Sequence, residues 1–101
     1  MKAVRTRRYK HICTLSKIHQ GWFGRGERIY VDIVIDTTEK VFNAWLYDSH
    51  HGIKESMFGI QVDETIPEKE AVNNYCDLVD YLIDEYADNY LRDRHVEDFG
   101  E

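Results

Sequence analysis

The chain has one proline and only two cysteines among its 101 residues. Cys13 and Cys76 stand far apart and form no CxxC pair, so the paired-thiolate signature of a zinc or redox site is missing. They read as reduced thiols of a cytoplasmic protein, with a single disulfide as the lesser alternative. There is no phosphate-binding glycine loop, no GxSxG and no HExxH, which leaves the common enzyme chemistries without an anchor. Long apolar runs are lacking too. The longest, Ile29–Ile35, is broken by Asp32 and is far too short to span a bilayer. Met1–Lys10 carries five basic residues with no apolar run behind them, so neither a signal peptide nor a membrane partner is expected.

Against these absences stand a 43% hydrophobic content and thirteen aromatic residues, enough to argue for a folded chain despite the abundant charge. The length suits a single domain over 1–101, with residues 1–8 as a basic, mobile arm.

Charge is distributed unevenly. Eight of the thirteen Lys and Arg fall in the first 28 residues, whereas thirteen of the nineteen carboxylates fall in the last 39. A net charge of −6 thus conceals a basic pole and an acidic pole. Such asymmetry bears on association rather than on fold, and points to a protein that binds something charged.

Hydropathy patterning places the elements. Tyr9–His19 reads as a strand of imperfect alternation, with Ile12, Thr14, Ser16 and Ile18 on one side and Tyr9, Cys13 and Leu15 on the other. Gln20–Gly26 is a glycine-rich loop. Glu27–Asp36 is the clearest strand, with Ile29, Val31, Ile33 and Ile35 facing one way. The polar stretch Asp36–Lys40 suits a hairpin into a third strand, Val41–Asp48. Ser49–Gln61 reads as a compact loop with a helical turn. From Glu68 to about Arg94, apolar residues at Val72, Tyr75, Val79, Leu82, Tyr86 and Tyr90 step by three and four, which predicts a long amphipathic helix started near Pro67. The expected fold is α+β: a three-stranded, mostly antiparallel sheet with one long C-terminal helix packed across it. Its expected core is Ile29, Val31, Ile33, Ile35, Phe42, Leu46, Phe58, Val72, Val79, Leu82 and Tyr86.

Two surfaces carry the functional expectation. On the helix, Asp77, Asp80, Asp84 and Asp88 step by three and four and share a side, with Tyr81 among them. Only Asp88 has a cation four residues on, Arg92. Unneutralised carboxylates at this spacing cost an isolated helix a few tenths of a kcal/mol per pair. The row reads either as a solvated face or as a partner-binding surface offered to a basic groove. The second surface is basic: Arg7, Arg8, Arg25 and Arg28 could meet phosphates while Trp22 and Phe23 stack on bases. The same cations could instead neutralise the protein's own helix, or pair with the acidic pole of a second protomer in a homodimer. His11-x-Cys13 with His19, and Asp48-x-His50-His51, lack metal-ligand spacing, so no metal and no cofactor is expected.

Val41-Phe-Asn-Ala-Trp-Leu-Tyr-Asp48 followed by Gly52-Ile-Lys-Glu-Ser-Met-Phe-Gly59 resembles segments of small accessory proteins of Gram-positive phages and conjugative elements. The resemblance extends over roughly residues 28–92 and brings no catalytic residues with it. Some such proteins are similar in size and acidity to anti-CRISPR proteins, which fill a basic nucleic-acid channel with carboxylates. The resemblance implies a non-enzymatic inhibitor of a host nucleic-acid-processing enzyme, such as a Cas nuclease, with the aspartate row as the nucleic-acid mimic. The basic N-terminal region departs from a purely acidic mimic. A direct DNA- or RNA-binding protein and a structural homodimer are the alternative readings.

Overall fold

The computed structural model describes residues 8–20, 26–48 and 54–98. Strands β1 (Tyr9–Gln20), β2 (Gly26–Asp36), β3 (Val41–Asp48) and β4 (Glu55–Gln61) form one antiparallel sheet in the order β1-β2-β3-β4. Helix α1 (Glu68–Asp98) packs on one face of it. The α+β class and the single long C-terminal helix are as the periodicity predicts, but the sheet has four strands rather than three.

The fourth strand lies where a loop with a helical turn is expected. Its register shifts between Asn43 and Trp45, so Ala44 faces the Met57-Phe58 pair instead of a single residue. Met57 is buried and Phe58 half-buried, both against the core, which destroys the period-two signal. Gly59 strengthens the loop reading, yet it serves pairing. A Cβ there would come within 3.0 Å of the Asn43 side chain and 3.3 Å of the Phe42 carbonyl oxygen, a tight fit that glycine avoids where the strands approach closely.

A second irregularity explains the imperfect alternation of β1. His11 pairs with Val34 and Cys13 with Ile33, leaving Ile12 as the extra residue of a bulge. Ile12, Cys13 and Leu15 all pack against the core. Ile12 is therefore separated from Thr14, Ser16 and Ile18, with which simple alternation groups it.

The β2–β3 hairpin is built around Asp36. Its Oδ1 accepts from the amides of Thr38 (2.9 Å) and Glu39 (3.0 Å), while its carbonyl accepts from the Lys40 amide (2.8 Å). Lys40 closes the loop with φ at 59°. Arg8 donates Nε to Asp36 Oδ2 at 3.0 Å, and its carbonyl accepts from the Thr37 amide at 2.8 Å. The Arg8 end of the expected arm is thus tied to the hairpin; residues 1–7 lie outside the described residues.

The core is the inner row of β2 (Ile29, Val31, Ile33, Ile35), with Phe42, Ala44, Leu46 and Met57, against Ala71, Tyr75, Val79, Ile83, Ala87 and Tyr90 of α1. Leu82 is only half-buried and Ile83 takes its place; Phe58, Val72 and Tyr86 are half-buried at the margin. The helix is rotated toward its small residues. Ala71 and Ala87 let the backbone approach the sheet, and a pattern followed through large residues alone misses them. Tyr75 anchors this contact: its ring stacks on Phe42 at 5.1 Å and its hydroxyl donates to the Phe58 carbonyl at 2.7 Å. Pro67 sits just before the helix, and its carbonyl accepts the Ala71 amide at 3.0 Å.

Candidate partner-binding surface

Edge strand β1 and helix α1 run side by side in the same direction. Cys13 meets Cys76, Lys17 meets Asp84, and His19 meets both Asp84 and Asp88. The match follows from element geometry. Six residues of strand advance about 20 Å at 3.3 Å each, and twelve residues of helix advance about 18 Å at 1.5 Å each.

This alignment divides the aspartate row. Lys17 Nζ lies 3.1 Å from Asp84 Oδ2. His19 is nearly buried and places Nδ1 3.2 Å from Asp84 Oδ1 and Nε2 2.9 Å from Asp88 Oδ1. An imidazolium donates to both carboxylates, whereas a neutral ring donates to one and turns a lone pair toward the other. Hydrogen bonds from His19 and Lys17 hold the Asp84 carboxyl below the usual carboxylate range. Half of the row is therefore tied by Lys17 and His19 of the protein's own first strand. Asp84 and Asp88 nonetheless keep more than half of their side-chain surface exposed.

Asp77 and Asp80 are exposed on the other half, and neither pairs with a cation among the described residues. Tyr81, next to Asp80 and one turn on from Asp77, is 82% exposed, the most exposed of the large hydrophobic residues described. Asp77, Asp80, Tyr81, Asp84 and Asp88 thus share one accessible helix side, as their spacing predicts. What the spacing does not reveal is the clamp on the last two. Its only sequence signal is a lysine and a histidine alternating on a strand, which gives no register against a helix.

Of the basic candidates, Arg8 is engaged with Asp36 and reaches Glu39 at 3.9 Å. Arg28 donates to Ser16 Oγ at 3.2 Å on the opposite face of the sheet. Arg7, Trp22, Phe23 and Arg25 lie outside the described residues, as do His50 and His51. His11 bonds Thr14 while Cys13 meets Cys76, so the His/Cys residues of β1 serve separate contacts. Among the described residues no group of three or more His, Cys, Asp or Glu is placed to hold a metal, and no helix is long and apolar enough to cross a membrane.

The open face of the sheet holds a polar hub at Asp32. Its carboxylate accepts from Thr14 (2.7 Å), Tyr47 (3.2 Å) and Lys54 (2.7 Å). Burial acts to raise its carboxyl, but the hydrogen bonds from Lys54 and Thr14 and the Lys54 charge outweigh it, and the net shift is downward. Tyr47 stacks on Tyr30 at 5.3 Å and lies under the Lys54 ammonium. The hub's carboxylate and cation are satisfied by each other, which marks it as a sheet-bracing network.

Compared with protein-family models, curated proteins and solved structures, the chain matches none.

Proposed function

We propose that the protein is a non-enzymatic binding protein that lays the exposed side of α1 into the basic groove of a nucleic-acid-processing enzyme, a Cas nuclease being the type implied by the sequence resemblance. Asp77 and Asp80 are the primary contacts, Asp84 and Asp88 extend the row, and Tyr81 packs among the target's cations.

The exposure of Tyr81 carries this reading. A tyrosine that is 82% exposed within an acidic row contributes nothing to the core, and its neighbours are carboxylates. Tyrosine is favoured at interface hot spots because it offers large rigid area with a polar tip. Four aspartates over one helix side give about one charge per 5 Å of axis, somewhat sparser than the roughly 3.4 Å of a DNA strand. The row therefore competes for a basic groove by charge, and the tyrosine supplies the local anchor. Such contacts raise the association rate and weaken with salt.

The test is displacement of labelled DNA from a candidate nuclease, read by fluorescence anisotropy. The wild type displaces the DNA; Asp77→Lys/Asp80→Lys displaces it at least about tenfold less well at an unchanged melting temperature, because neither residue is in a described ion pair. Equal displacement by the double variant and by Tyr81→Ala rules this surface out. A gel shift of the protein with DNA and RNA alone, lost on Arg7→Ala or Trp22→Ala, would support direct nucleic-acid binding instead.

A further inference from the structure

Cys13 and Cys76 are 63 positions apart in sequence, yet their sulfurs approach to 3.8 Å where β1 meets α1. Both are free thiols and both are partly accessible to solvent. We propose that the pair is a disulfide-forming modification site, closed by a small disulfide oxidant such as glutathione disulfide, which staples edge strand β1 to the long helix.

The geometry favours an internal bond. A disulfide spans about 2.0 Å, so the sulfurs need to close by about 1.8 Å, within reach of side-chain rotation from elements already in contact. The polar side-chain contacts farther along this seam are Lys17 with Asp84, and His19 with Asp84 and Asp88. A covalent bond at Cys13–Cys76 would secure the other end of the seam independently of salt.

The exchange is two-step. The Cys13 thiolate attacks one sulfur of glutathione disulfide; that S–S bond breaks and one glutathione departs as thiolate, taking a proton from solvent. Burial, with Cys13 beside it, pushes the Cys76 thiol up to about 11, so Cys76 holds its proton at neutral pH and acts second. It attacks the Cys13 sulfur of the mixed disulfide, and its proton passes to the second departing glutathione. Two protein thiols are oxidised and one glutathione disulfide is reduced to two thiols. The inference stands apart from the partner-binding reading, since no partner takes part.

In the test, the reduced protein is incubated natively with glutathione disulfide at mildly alkaline pH and quenched with acid. It is then examined by intact mass and non-reducing peptide mapping. The expected product is a monomer lighter by two hydrogens, with Cys13 and Cys76 in one linked peptide pair. Its melting temperature rises by roughly 5–15 °C and returns to the starting value with dithiothreitol. Cys76→Ser stops at a mixed disulfide on Cys13 and shows no such rise; Cys76→Ala serves if the serine variant melts low. Accumulation of glutathione adducts or linked dimers in the wild type would overturn the proposal. So would an internal bond that forms only in urea, or one that lowers the melting temperature.

Discussion

The ammonium of Lys17 lies 3.1 Å from the carboxylate of Asp84, joining the basic first strand to the acidic last helix within one molecule. Both side chains are well exposed, so the pair is worth only about 0.2–1 kcal/mol and is screened by salt. A double-mutant cycle of Lys17→Ala and Asp84→Ala, by urea denaturation, should return a coupling in that range at low salt and less at high salt. The cycle of His19→Ala with Asp88→Ala should return a larger and less salt-sensitive value, because His19 is nearly buried.

The orientation of α1 has its own test. Ile83 is 1% exposed whereas Leu82 is half-buried. Ile83→Ala should cost about 2–4 kcal/mol and Leu82→Ala only about 1 kcal/mol, each read from the urea midpoint. The reverse order would mean that the helix presents the face carrying Val72, Leu82 and Tyr86.

These two cases also show how far the sequence could be read. The alternation of Ile29, Val31, Ile33 and Ile35 predicts β2 and its buried row. The three-and-four stepping from Val72 to Tyr90 predicts the helix and its solvent side, and so the exposure of Asp77, Asp80 and Tyr81. Bulges were illegible, because each puts two adjacent side chains against the core. Ile12-Cys13 and Met57-Phe58 therefore read as irregular segments, and Gly59 reads as a turn although it serves close strand approach. The clamp on Asp84 was illegible for a different reason. It depends on which strand forms the sheet edge and in which direction the helix crosses it, and local patterns contain neither.

Acid should weaken the fold through a defined set of carboxyls. Asp36, whose charge is stabilised chiefly by the Glu39 amide and also by Thr38 and Arg8, is held below the usual carboxylate range, as are Asp32, Asp63 and Asp84. Each binds a proton less readily in the folded state than in the unfolded one. Their stabilisation is complete above the unfolded value of about 3.9 and is lost as pH falls through the lower folded values. Urea midpoints should therefore drop steeply below about pH 4. Asp36→Asn keeps an oxygen for the loop amides but loses the charge facing Arg8. It should start less stable at neutral pH and show a shallower acid slope; an unchanged slope would remove Asp36 from the set.

The clamp and the proposed surface make opposite demands on neighbouring residues, and this separates binding from folding. Tyr81 packs against nothing in the core, so Tyr81→Ala should leave the urea midpoint nearly unchanged, within about 0.5 kcal/mol. If the helix side binds a basic groove, the same substitution should weaken that binding by about 1–2 kcal/mol, mainly through faster dissociation. Lys17→Ala should act in the other direction. It slightly destabilises the fold, yet it removes a cation beside Asp84 and strengthens the negative field of the row. Association with the groove should then speed up at low salt, and the gain should vanish as salt is raised. Stopped-flow association measured for both variants across salt concentrations reads these effects separately. If Lys17→Ala slows association, the row is not the steering surface, whatever becomes of Tyr81.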